Sequence, residues 1–223
     1  MAETQETAPG ASHDAHAPTH TEASPPLVAF DFDGTLTVRD SFTAFLKWRV
    51  SGGRWTIGMI RLAPAALSYL LHRDRGRIKA AAIREFLKGV PQERLEAQAR
   101  KFAEGHAQSL FRPDALAVWR RWRAQGARMV IVTASPDLVV APFARGIGAD
   151  LLIGTRLAFD LNGKVVGSLQ GPNCRGPEKV VRLRETFGEN MKLAAAYGDT
   201  SGDTEMLAIA QERGYRIFKG KPV

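Results

Sequence analysis

The chain carries one cysteine, Cys174, so no internal disulfide can staple it and its stability must come from a packed core. A lone thiol also fits a reducing compartment, which sets the expectation of a cytoplasmic protein. Apolar runs of bilayer length are missing as well. The nearest candidate, WTIGMIRLAPAALSYLLH over 55–72, is interrupted by Arg61 and Pro64, which excludes a transmembrane helix. Residues 1–26 hold four acids, no lysine and no arginine. They lack the basic and apolar regions of a secretion signal and read as a disordered polar tail. His13, His16 and His20 belong to that tail and are read as polar filler rather than as a metal site. Phosphate-binding G-x-x-x-x-G-K, G-x-S-x-G and G-x-G-x-x-G patterns are all absent. So are aromatic RNP runs and Cys/His fingers, which removes nucleic acid as a partner.

What is present begins with enough apolar residue, 44% of 223, for one core and a small accessory domain. Past the tail the chain carries 31 basic and 19 acidic residues, a net charge of +12. Residues 41–110 alone hold 13 lysines or arginines against 5 acids. A solvated helical face accounts for such charge; attraction to polyanions or to an anionic membrane surface is the sharper alternative. Arg54, Arg73, Arg75, Arg77 and Lys79 flank the apolar stretch 55–72, as in a helix lying on such a surface.

The chemistry is concentrated in short segments. LVAFDFDGTLT over 27–37 is a buried-strand run ending in Asp31 and Asp33, and ligands bind beyond the carboxyl ends of parallel strands. Two acids placed there repel each other until a cation or a shared proton intervenes. LAAAYGDTSGDTEM over 193–206 repeats the design, with Asp199 and Asp203 one helical turn apart. Converging carboxylates with no Cys/His set make a hard-oxygen site suited to Mg²⁺ and phosphate. RMVIVTASPD over 128–137 ends in Thr133, Ala134 and Ser135, with Pro136 as the first helical position, so its hydroxyls and amides can grip phosphate oxygens. NCRGPEKVVRL over 173–183 adds Lys179 at a helix start.

Asp-Phe-Asp-Gly-Thr, a strand-end Thr, a Lys and Gly-Asp-x-x-x-Asp, in this order, resemble the haloacid dehalogenase-like hydrolases over roughly residues 27–218. The chain looks most similar to the phosphoserine-phosphatase-like branch, whose helical cap follows the first motif. The hairpin expected over 154–171, turning at Asn162-Gly163, is similar too. The resemblance implies a phosphatase in which Asp31 is the nucleophile and forms an aspartyl-phosphate, and Asp33 is the general acid and base. It implies that Thr133 and the Ala134 amide bind the phosphoryl oxygens, with Ser135 beside them, and that Lys179 neutralises charge. Mg²⁺ would be held by Asp31, Asp199 and the Asp33 carbonyl, with Asp203 in support.

The departures concern the substrate. The branch usually has Ser-Gly-Gly where this chain has Thr133-Ala134-Ser135, and Glu where it has Asp40. Arg175 lies close to where some relatives place the lysine, but the C-x-G-x-x-K spacing from Cys174 favours Lys179. Asp40 and Arg84 would take the ammonium and carboxylate of an amino-acid phosphate. The alternative substrate is a membrane-lipid phosphate such as phosphatidylglycerophosphate, reached from the inner face of the membrane. A phospho-receiver or binding module, with Asp31 as its phosphorylation site, is the alternative of another class.

The expected fold is α/β: a doubly wound, Rossmann-like parallel sheet over 27–40 and 111–223, with an α-helical cap inserted over 41–110. Strands are expected near 27–32, 128–133, 193–198 and 215–218, and helices near 113–126, 136–147, 177–188 and 201–211.

Overall fold

The computed structural model describes residues 24–72 and 75–222. The tail residues 1–23 with their histidines, and Arg73, lie outside the described residues, as does the side chain of Arg75. Five parallel strands form the sheet: β1 (Leu27–Phe30), β2 (Arg128–Pro136), β3 (Leu151–Thr155), β6 (Leu193–Gly198) and β7 (Ala210–Tyr215). Their order is β3-β2-β1-β6-β7. From β1 the chain winds outward through β2 and β3, then returns to lay β6 on the other side of β1. The winding reverses between β1 and β6, where open α/β sheets leave a crevice at the strand ends.

Alternation along β1 explains the layers. Val28 and Phe30 point to one face, Leu27 and Ala29 to the other, and all four are buried. Phe30 stacks on Tyr197 at 4.4 Å and meets Trp119 edge-on at 5.1 Å. Trp119 comes from α5 (Pro113–Ala124), which shares this face with α6 (Asp137–Gly146). Leu183 of α7 (Pro177–Phe187) and Met206 of α8 (Thr204–Ala208) cover the opposite face. Each fully buried large side chain contributes about 1.5–3 kcal/mol.

Between β1 and α5 the chain builds α1 (Ser41–Arg49), α2 (Gly52–His72), α3 (Arg75–Leu87) and α4 (Gln92–Leu110). Its two crossings are laced together: Val38 N donates to Leu110 O and Arg112 N to Leu36 O, each at 2.8 Å. The hairpin of β4 (Leu157–Phe159) and β5 (Val165–Leu169) turns through Asn162 and Gly163, with Asn162 N on Asp160 Oδ1. It bonds to the insert, because Gly89 N donates to Val165 O and Gln92 N to Gly163 O. Among the described residues no helix is long and apolar enough to cross a membrane.

Several boundaries differ from expectation. The last strand is Ala210–Tyr215 rather than 215–218, and the helix expected over 201–211 is a 3₁₀ turn (Ser201–Asp203) followed by the five residues of α8. AQERGY is not an apolar run; it is an edge strand whose register with β6 is set by backbone pairing. β3 adds a core strand beyond the four expected ones. Pro136 is the residue before α6, with ψ 124°, rather than its first helical position. The preference for extended backbone before a helix start prevails.

Candidate active site

Asp31 and Asp199 follow adjacent strands at the reversal of the sheet. Asp31 is held by its own amide, which donates to Tyr197 O at 2.8 Å. Gly34 then turns the chain with φ +83°, and a Cβ there would lie 2.2 Å from Asp199 Oδ2. Only glycine admits both that backbone and that approach. Thr35 Oγ1 donates to Asp199 Oδ1 at 3.4 Å.

Lys179 is the electrostatic centre. Its ammonium, 1% exposed, donates to Asp31 Oδ1 at 2.5 Å, Asp203 Oδ1 at 2.6 Å and Val132 O at 2.6 Å. Three donors meet three acceptors, which is what a buried ammonium requires. Burial alone would lower its pKa, and the two carboxylates outweigh that and raise it, so it remains charged. Asp203 spends its other oxygen on the amides of Asp199 and Thr200 and on the Thr200 hydroxyl. Burial would raise its pKa, but Lys179 and the Thr200 hydrogen bonds hold it below the usual carboxylate range.

The other acids go the opposite way. Burial pushes Asp31 up to about 7, opposed by Lys179 and reinforced by Asp203 and Asp33. Burial, with the Asp203 charge, also raises Asp199. Asp33 rises to about 6 through burial and the nearby Asp40 charge. Its Oδ1 accepts from Ser41 N at 2.6 Å and its Oδ2 from Ser135 Oγ at 2.5 Å. Ser135, expected against the substrate, therefore orients Asp33, while its amide donates to Thr133 Oγ1 at 3.0 Å.

Asp31, Asp199 and Asp203 bring carboxylate oxygens within 4.8 Å of one another. An all-oxygen set in which two acids are pushed up by burial and mutual repulsion fits a hard divalent cation. With both oxygens already engaged, Asp203 serves better as the group that fixes Lys179 and the Asp199 loop than as a direct ligand.

Asp31, Asp33, Asp40, Thr133, Ala134, Ser135, Lys179, Asp199 and Asp203 all line one cavity of ≈ 520 Å³. Asp40 also caps α1, its Oδ1 accepting from Thr43 N at 2.6 Å. Arg84 does not join them. It is exposed on α3, with its stem against Gly167 of β5, because its helical face turns toward the hairpin. Among the described residues, the insert cation in the cavity is Lys79, whose ammonium donates to Ala134 O. Lys79 sits five residues before Arg84, so the helical face and not the composition decides between them. Arg175 lines the cavity but spends its guanidinium on the Thr200 and Ser201 hydroxyls, at 3.2 and 3.0 Å. Lys179 alone of the two contacts Asp31. Burial pushes the Cys174 thiol up to about 11, which makes it a structural residue.

The sequence profile of the haloacid dehalogenase-like hydrolases matches residues 28–208. The chain belongs to this family. Over 198 residues it is 68% identical to Protein CicA of Caulobacter vibrioides, covering 89% of each chain. It is 30% identical over 190 residues to the phosphoserine phosphatase of Halobacterium salinarum, covering 82% of each. Among solved structures, a Bordetella pertussis protein of unknown function superposes with a TM-score of 0.64 at 23% identity, covering 83% of this chain and 87% of that one. A phospho-aspartyl intermediate analogue of phosphoserine phosphatase superposes at 0.56 with 19% identity, covering 85% of each chain. The structural likenesses establish the hydrolase fold, and the family makes the chain an enzyme.

Proposed function

We propose that this hydrolase is a Mg²⁺-dependent phosphomonoesterase working through an aspartyl-phosphate on Asp31. The observation that carries this reading is the pairing of Asp31, fixed by Lys179, with Asp33, fixed by Ser41 and Ser135. A carboxylate oxygen of Asp31 attacks phosphorus as the ester P–O bond breaks, and Asp33 gives its proton to the departing alkoxide. Asp33 then takes a proton from water, whose oxygen displaces Asp31 and releases phosphate. A pKa near 6 lets Asp33 act in both directions close to neutrality. The Thr133 hydroxyl and the Ala134 amide meet the phosphoryl oxygens, and Lys179, held on Asp31, neutralises charge on the nucleophile and the phosphoryl group. Mg²⁺ would be held by Asp31, Asp199 and the Asp33 carbonyl, and it supplies charge neutralisation on the phosphoryl group.

A receiver domain needs no second acid beside its phosphorylated aspartate, so Asp33 argues for turnover. The residues over 41–110 act as the cap of this site, and small phosphorylated metabolites are the default substrates. A lipid-borne phosphate is a second reading, favoured by Ile57, Ile60 and Leu67, exposed on α2 along with Arg61. The decisive experiment is hydrolysis of p-nitrophenyl phosphate and of an alkyl phosphate with and without Mg²⁺. Metal-dependent release of phosphate, lost in Asp31→Asn, is the expected result; wild-type turnover by that variant would overturn the reading.

A further inference from the structure

The cavity has two unlike halves. Its floor is acids, hydroxyls and the Lys179 amine of the core, whereas the insert, apart from Thr43 and Lys79, supplies an apolar wall: Leu46 of α1, Trp55, Met59 and Leu62 of α2, Ile78 and Phe86 of α3. This wall is prebuilt. Trp55 stacks on Phe86 at 5.2 Å, and Gly58 lets α2 approach so closely that a Cβ would lie 2.2 Å from the Phe86 ring. Arg54 lies over the same ring at 5.1 Å and pairs with Glu85 at 2.7 Å. The wall also reaches the mouth, because Met59 lines the cavity and is 46% exposed.

An amino-acid phosphate would place its carboxylate against this wall. Arg84, the expected partner for that carboxylate, is outside the cavity, Lys79 is turned onto Ala134 O at the floor, and Arg175 is held by the Thr200 and Ser201 hydroxyls of the core, not by the wall's helices. Burying an unpaired carboxylate on an apolar surface is costly, whereas burying methylenes there is favourable. Resting on the phosphomonoesterase reading, we propose that the site selects phosphomonoesters whose leaving alcohol carries an extended apolar group, seated against α1–α3.

The test uses the full chain with Mg²⁺ and two ligand series from ethyl to octyl: n-alkyl phosphates for turnover and non-hydrolysable n-alkyl phosphonates for calorimetric binding. Both kcat/KM and affinity should rise about two- to fourfold per added methylene, the upper figure being full burial. Octyl phosphate should then exceed O-phosphoserine by more than tenfold. Met59→Gln, a change at the half-exposed rim, should flatten the slope while circular dichroism remains native. A flat series in both assays, or preference for O-phosphoserine, overturns the proposal. Chain-length-dependent phosphonate binding without turnover of any phosphate would sink the phosphatase reading and keep the apolar subsite. Offering decyl phosphate as monomer or in phosphatidylglycerol vesicles separates two sources of the same chemistry. Faster turnover of the monomer supports a soluble amphiphile, and faster turnover in vesicles supports a lipid.

Discussion

The floor and the wall of the cavity are made by different means. Every floor group is fixed by a named partner: Asp31 by Lys179, Asp203 by Lys179 and Thr200, Asp33 by Ser41 and Ser135. The wall is fixed by shape, with Trp55 and Gly58 set against Phe86. Hydrogen-bonded charge in a buried site tolerates little displacement, while apolar contact is broad and adjustable. On the proposed phosphomonoesterase reading, the floor then holds one reaction geometry while the wall sets which alcohol is accepted. Substitutions in the floor should be severe and independent of substrate; those in the wall should be moderate and dependent on it.

The largest effect should come from Asp31→Asn, which removes the proposed nucleophile and keeps the shape. We expect kcat to fall by at least about 10³-fold for every phosphate ester, with loss of covalent labelling by beryllium fluoride. Substrate-dependent loss would break the division between floor and wall. Lys179→Met should follow, since it leaves Asp31 and Asp203 facing each other without a cation. Breaking a buried pair in this way costs roughly 3–5 kcal/mol, readable by urea denaturation. A variant as stable as wild type would show that Lys179 serves chemistry alone.

Metal and pH sharpen the same point. Asp31 and Asp33 rise from 3.8 unfolded to about 7 and about 6 folded, so between these values the folded protein binds more protons than the unfolded chain. Metal-free stability must then fall as pH rises from 4 toward 7. Each 1 kcal/mol lost should lower Tm by about 2–4 °C at this size. Mg²⁺ should stabilise more at pH 8 than at pH 5.5, because it occupies the carboxylates that protons vacate. Differential scanning fluorimetry with Mg²⁺ and with EDTA measures both, and a Tm shift independent of pH would remove the metal from Asp31.

The two halves also differ in how much of each could be read from sequence. The four floor segments, with Asp31, Asp33, Thr133, Lys179 and Asp199, are local patterns at strand ends or helix starts, so order along the chain predicts convergence in space. The role of Ser135 was less visible, because its hydroxyl is claimed by an acid 102 residues away. The wall is another matter. Its residues come from three helices whose composition shows helix without showing which face meets the core. On α3 the sequence points to Arg84 as the inward cation and places Lys79 among the flanking bases, whereas the structure turns Lys79 into the cavity and sets Arg84 against the β4–β5 hairpin. The short edge strand β7 escaped for a related reason: AQERGY is held by backbone pairing with β6, and side chains carry no strand pattern there.

The smallest expected effects lie on α3 and test this last distinction. Lys79→Met removes a half-buried ammonium that bonds Ala134 O between Thr133 and Ser135. Burial lowers the Lys79 pKa, and the facing charges of Asp33, Asp40 and Asp31 pull it back up. Losing one charged contact is worth about 1.5–3 kcal/mol, so KM for a dianionic ester should rise by roughly tenfold to a hundredfold. Arg84→Met, five residues on, removes an exposed charge outside the cavity. Its stability should stay within about 0.5 kcal/mol of wild type, and KM should not move for O-phosphoserine or octyl phosphate. If Arg84→Met raised KM for O-phosphoserine and Lys79→Met did not, α3 would turn the opposite face to substrate, and the apolar wall would not be the surface that selects it.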